Sequence, residues 1–280
     1  MIILDASSSM LNVSDGGDSY AGAAGETSWD IVRDALAGDS SLFDAFFGGG
    51  SNVLEDVAQV GLIVFGSEGQ ERVLLDYTRC AKDNLGWALD PYSSCVGPGC
   101  TDPYAGPPIE WTSVNGSNVT PFFDAPTISY MPKCDEFSTL EACTGAATET
   151  HIGVELADDN RGVYYAEQSQ SGATFPVDDG TLFVNILIVD GSSTGPDLPL
   201  QTALEDMFDA GVVTYVIGYG QPSSFSSHLE QMASWGSGGN AAARMATSLG
   251  ELQARLYDIV ADIDFSGTFA PTDCSMTPEP

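Results

Sequence analysis

Short apolar runs and helical stripes alternate along this chain. Residues 1–4 (MIIL), 60–65 (VGLIVF), 182–189 (LFVNILIV) and 212–219 (VVTYVIGY) are nearly continuous apolar stretches. Stretches of that length without polar alternation fit strands covered on both faces. Between them, apolar residues recur three or four apart: Trp29, Val32 and Leu36; Leu200, Leu204, Met207 and Phe208; Phe225, Leu229 and Met232; Leu252, Leu256, Ile259 and Ile263. Each stripe predicts an amphipathic helix laid on a sheet. Helix is also predicted from Ile152 through Tyr165. Ser248 followed by Glu251 makes a capping box for the last helix. Residues 72–77 (RVLLDY) predict a strand beside 60–65, antiparallel at the sheet edge, and 243–246 a short further strand. Residues 10–26 predict a loop and 42–47 a helix or turn. Strands alternating with helices predict an α/β fold, a doubly wound, mainly parallel sheet flanked by helices.

Residues 78–147 break the pattern. They hold Cys80, Cys95, Cys100, Cys134 and Cys143, five of the six cysteines, together with many Pro and Gly and no sustained period. The predicted organisation is a main domain over 1–265, interrupted by a cysteine-rich insertion at 78–147, with 266–280 as tail or linker. The even count and the clustering favour disulfides and an oxidising compartment. Zinc is disfavoured, since no C-x-x-C occurs and His151 and His228 are the two histidines.

Charge narrows the partners. The chain carries 40 Asp plus Glu against 8 Lys plus Arg, a formal charge of −32. That balance excludes nucleic acid and an anionic membrane surface. No apolar run reaches the roughly 20 residues of a membrane span, and no signal-peptide pattern precedes the first strand, which points to a truncated gene product or an excised fragment. The expected location is extracellular or the cell surface, with the periplasm as the alternative. Asn115 and Asn118 are glycosylation acceptors only in a host that glycosylates.

The candidate chemistry lies at strand ends, where open parallel sheets bind ligands. Asp5 closes the first apolar run, and Ser7 and Ser9 follow at alternate positions in the loop. Asp190 closes the run at 182–189. Thr148 stands in a loop entering the predicted helix, with Thr144 and Thr150 as neighbours that could take its place. Five oxygen-bearing groups on three loops suit a hard divalent cation, Mg²⁺, or else Mn²⁺ or Ca²⁺. Each motif alone is most simply a turn; the ordered set is what carries weight. A rival reading takes Gly191-Ser-Ser193-Thr-Gly195 as a hydrolase elbow, with Asp206 or Asp209 and then His228 in chain order. Pro196 and Pro199 delay the helix that an elbow requires, and the reading leaves Asp5, Ser7 and Ser9 without a role. A third reading is a structural surface module that binds no metal.

The ordered set DASSS (Asp5, Ser7, Ser9), Thr148 in TET and Asp190 in IVDG resembles the metal-ion-dependent adhesion site of the von Willebrand factor type A domain. The resemblance spans residues 1 to about 263 outside the insertion and is nearest to bacterial secreted members. GLIVFGSEG, DAGVVTYVIGYG and SLGELQARLYDIVADI are similar to the family's second strand, fifth strand and final helix. It implies a non-enzymatic adhesion or protein-binding module in which Ser7, Ser9 and Thr148 hold Mg²⁺ and Asp5 and Asp190 act largely through water. It also implies a protein or peptide partner that offers a carboxylate, with no membrane insertion. Leu11, Asn12 and Val13 replace the acidic pair of the neighbouring calcium site of integrin β-type members, so that site is not expected.

The disulfide expectation has a direct check. Thiol counting on unreduced, unfolded protein should find no more than two free thiols, because an aperiodic insertion buries too little to stay ordered without covalent closure. Four or more would contradict it.

Overall fold

A six-stranded sheet in the order β5-β4-β1-β6-β7-β8 organises the chain. The computed structural model describes residues 1–11, 28–38, 41–44, 46–47, 52–54, 58–69, 71–78, 82, 85, 89, 147–173, 176–191, 193, 195, 197–220 and 225–263. All six cysteines, both glycosylation sequons, most of the predicted insertion and the tail lie outside those residues.

The sheet strands are β1 (Ile2–Asp5), β4 (Val60–Phe65), β5 (Arg72–Thr78), β6 (Val184–Val189), β7 (Val213–Tyr219) and β8 (Arg244–Ala246). β2 (Phe46–Phe47) and β3 (Asn52–Val53) form a separate antiparallel pair. The helices are α1 (Ser8–Leu11), α2 (Ser28–Ala37), α3 (Thr150–Gln168), α4 (Asp197–Asp209), α5 (Ser226–Ser237) and α6 (Leu249–Asp262). β1 pairs in parallel with β4 and β6, and β6, β7 and β8 continue in parallel. β5 runs antiparallel at the edge, as its sequence predicts.

Side chains along each apolar run alternate between two cores, which is why the runs carry no polar face. Ile2, Leu4, Leu62, Val64, Ile186, Ile188 and Ile217 face α2 and α6. Ile3, Ile63, Phe65, Leu187, Val189 and Val216 face α3, α4 and α5. The β4–β5 register slips twice, between Val60 and Leu62 and between Leu62 and Ile63. The slip sets Leu74 and Leu75 in the same core, the expected consequence of an extra residue in one strand of the pair. Leu85 and Leu89, inside the predicted insertion, are buried against the α2 face, and the Trp29 indole donates to the Leu89 carbonyl at 2.9 Å.

Three local predictions need correction. The segment after Asp5 is a single helical turn, α1, because Met10 is fully buried and draws the chain back on the core. Residues 42–47 divide into a 3₁₀ turn, Leu42–Asp44, and β2. Leu182 precedes its strand and is exposed. The capping box forms with one change. Glu251 N–H donates to Ser248 Oγ at 3.3 Å, but the Glu251 carboxylate accepts from Thr247 N and Oγ1, both at 2.8 Å.

Because β1 connects toward β4 on one side and β6 lies on its other side, the chain changes direction at β1. The crevice between the carboxyl ends of β1 and β6 is the switch point where such sheets bind ligands. Helix α3 sits close beside it. A Cβ on Gly153 would meet Phe65 Cδ1 at 2.6 Å, so only glycine allows that approach. Gly153→Val is expected to cost about 1–3 kcal/mol through overpacking. Urea denaturation measures this, and unchanged stability would contradict the tight α3–β4 seam.

Candidate functional site

Asp5 is the last residue of β1, and its side chain is 0 % exposed. Its Oδ1 accepts the Ser7 N–H at 2.8 Å, an Asx turn that bends the chain out of the strand. Met10 N–H then donates to the Ser7 carbonyl at 3.0 Å, closing the turn into α1. These two bonds bring the hydroxyls of Ser7 and Ser9 to 3.0 Å from each other. Ser7 is buried and Ser9 is exposed, so the pair runs from the floor of the crevice to its rim.

Thr148 arrives from another loop. That loop is tied to the end of β4: Glu149 N–H donates to the Gly66 carbonyl at 2.9 Å and Ala147 N–H to Ser67 Oγ at 3.1 Å. Thr148 Oγ1 then donates to Ser7 Oγ at 3.2 Å. Of its sequence neighbours, Thr150 opens α3 with its hydroxyl buried and unpartnered, and Thr144 lies outside the described residues. Asp190, immediately after β6 and half-buried, accepts from the Ser9 hydroxyl and faces the Asp5 carboxyl. The structure therefore gathers all five predicted residues, Asp5, Ser7, Ser9, Thr148 and Asp190, at the switch-point crevice.

The electrostatics of this crevice are unfavourable as they stand. Asp5 Oδ2 is buried and has no hydrogen-bond donor. Two charged carboxylates cannot donate to each other, so that oxygen is satisfied only by a proton shared with Asp190 or by a cation. Burial, reinforced by the Asp190 charge, pushes the Asp5 carboxyl up from its ordinary 3.8 to about 8. Burial also raises Asp190, against the hydrogen bonds from Ser9 and Asp5. An orphaned buried carboxylate oxygen beside three hydroxyls is a donor set that fits a hard divalent cation. Among the described residues no group of three His, Cys, Asp or Glu converges.

Ser193 was not singled out as part of this site. Its hydroxyl donates to the Thr148 carbonyl at 3.1 Å, linking the Asp190 loop to the Thr148 loop. The sequence signal was the G-x-S-x-G match, read for a different chemistry. His228 Nδ1 lies 3.7 Å from the Asp197 carboxylate, and its buried Nε2 has no partner. His151, second in α3, is half-buried with Nδ1 unpartnered.

No protein-family model matches the sequence, and a search of curated proteins finds no match. Solved structures do match. The conserved hypothetical protein BatB from Bacteroides thetaiotaomicron is similar, with 15% identity and a TM-score of 0.50 over 93% of this chain and 95% of that one. Proximal thread matrix protein 1 from the mussel byssus matches with 18% identity and a TM-score of 0.45, over 93% of this chain and 46% of that one. The present chain thus spans about half the length of the mussel protein. Another structure of that protein, with a zinc-occupied MIDAS motif, matches with 18% identity and a TM-score of 0.42. At these identities the likeness is one of fold, and the BatB match agrees with the doubly wound α/β architecture described above.

The raised Asp5 pKa fixes a pH dependence. A carboxyl whose folded pKa exceeds its unfolded value stabilises the fold fully below the unfolded value, and that contribution is lost as pH rises through the folded value. In chelator, the protein is expected to melt at falling temperature between about pH 4 and about pH 8, and Asp5→Asn to flatten the slope. Thermal scans of both proteins across that range check this; parallel profiles would contradict the buried pair.

Proposed function

We propose that this chain is a metal-dependent protein-binding module of the von Willebrand factor type A kind, working outside the cell or at its surface. Asp5, Ser7, Ser9, Thr148 and Asp190 would hold one divalent cation, Mg²⁺ in the first instance. The observation that carries this reading is the fully buried Asp5 carboxylate with an unpartnered oxygen, facing Asp190 and the hydroxyl cluster. The chemistry a divalent cation supplies in such a site is a coordination position open to a partner's carboxylate oxygen.

The chain's own residues prepare that position. With the three neutral hydroxyls as direct ligands and Asp5 and Asp190 acting largely through water, a bound divalent ion would stay attractive to one more anionic oxygen. Ser7, Ser9 and Thr148 orient one another through 3.0 and 3.2 Å contacts, and Ser193 fixes the Thr148 loop by its carbonyl. Such outer contacts set the geometry of the direct ligands. A chain of charge −32 repels an acidic partner at long range, so recognition at this site depends on short-range coordination and should change little with moderate salt. The chain is read as a binder rather than an enzyme. The Ser193 hydroxyl donates to the Thr148 carbonyl and not to an imidazole, and His228 faces Asp197. The location rests on the acidic composition and the clustered cysteines; among the described residues no helix is long and apolar enough to cross a membrane.

Titration calorimetry with Mg²⁺ should give heat with the native chain and none with Asp5→Ala. The same native chain, immobilised, should capture protein from its own environment in Mg²⁺ and lose it in chelator, and Thr148→Ala should reduce capture without unfolding. Equal heats from both proteins, or equal capture with and without chelator, would contradict the proposal.

A further inference from the structure

A second surface lies between α3 and α4, and its chemistry is opposite to that expected at the metal edge. The two helices enclose a groove of about 420 Å³. Val154 and Ala203 form its apolar floor, and Leu198 stands at its rim, 71 % exposed. Glu155 and Asp159 rise from one wall, one helical turn apart, and Asp206 from the other. Asp158, also in the wall, is paired with Arg161 at 2.6 Å, whereas Glu155, Asp159 and Asp206 have no ion-pair partner among the described residues. Among the described residues, Leu198 thus stands as an exposed apolar side chain inside a fence of carboxylates that no cation neutralises. Leu198 does not pack in either core, and the carboxylates repel one another.

We propose that this groove docks a cationic amphipathic segment of a partner protein. The partner's Leu-like side chain would cover Leu198 and the floor, and its Lys or Arg side chains would neutralise Glu155, Asp159 and Asp206. Charge complementarity selects this occupant. A second copy of the chain, with 40 acidic against 8 basic residues, brings more repulsion than attraction. The chain's own residues 264–280 contain no Lys or Arg and cannot supply the charge. The groove shares no lining residue with the proposed metal site, and the two differ in response. Docking in the groove weakens with salt and ignores chelator, whereas carboxylate capture changes little with moderate salt and is lost in chelator.

The test uses the full chain and a labelled synthetic peptide of Leu and Lys in helical repeat, with its Glu-for-Lys twin, followed by fluorescence anisotropy in chelator. The Lys peptide should bind and the Glu twin should not, with affinity falling as salt rises. The double reversal Asp159→Lys with Asp206→Lys should weaken binding about tenfold or more. The control reversal Asp34→Lys with Asp262→Lys makes the same change in net charge on α2 and α6, across the sheet from the groove, and should weaken it by about threefold at most. Leu198→Ser, which changes no charge at an exposed position, should weaken binding about fivefold. Equal losses for the groove and control reversals, or no loss with Leu198→Ser, would show that the peptide senses only net charge and would overturn the proposal. Peptide binding that appeared in Mg²⁺ and was absent in chelator would assign it to the metal edge and would overturn the proposal as well.

Discussion

A carboxylate with no access to water stands at the centre of this structure. Burying an ionised group without a partner is among the most costly things a fold can do, yet β1, paired between β4 and β6, ends with Asp5 in the crevice beside β6. The Asx turn to Ser7 satisfies one oxygen. The other is left for a proton or a cation, and Asp190 is set across from it, which makes the unmet demand larger. A fold that needed only stability would place an apolar residue there, as it does at Ile3 and Leu4. The arrangement has a physical rationale when a divalent ion supplies the missing positive charge.

The surrounding architecture delivers three loops to that point. Two cores clamp the sheet from opposite faces and fix the strand ends. Met10, buried in one core, folds the Ser7–Ser9 segment into a turn. On the other face Gly153 lets α3 lie against Phe65, so the helix start and the Thr148 loop before it sit beside β4. Ser193 then joins the Thr148 and Asp190 loops through a single hydrogen bond. Packing on both sides of the sheet is thus converted into the spacing of hydroxyls a few ångströms apart.

Much of this was legible in the chain. Apolar runs covered on both faces marked β1, β4, β6 and β7, because parallel strands leave no solvent side for polar alternation. Arg72–Tyr77 read as an antiparallel edge and is one. Asp5 and Asp190 read as site residues because each ends such a run. The missed parts depend on tertiary contacts that no local pattern encodes. The helical turn at Ser8–Leu11 follows from where Met10 finds its pocket, and the 3₁₀ turn at Leu42–Asp44 from the burial of Leu42 and Phe43. The role of Ser193 follows from its distance to a carbonyl 45 residues away in sequence. Its local motif pointed to a nucleophile because a glycine-flanked serine after a strand looks alike in both settings. The α3–α4 groove was equally invisible, since it forms where stripes from two separate helices meet.

The most direct test is anomalous diffraction from crystals of the native chain grown with Mn²⁺, a scatterer that can stand in for Mg²⁺. The account predicts one strong anomalous peak among the hydroxyls of Ser7, Ser9 and Thr148, with the Asp5 and Asp190 carboxylates turned toward it. An ordered crevice with all five side chains in place and no peak at saturating Mn²⁺ would contradict it.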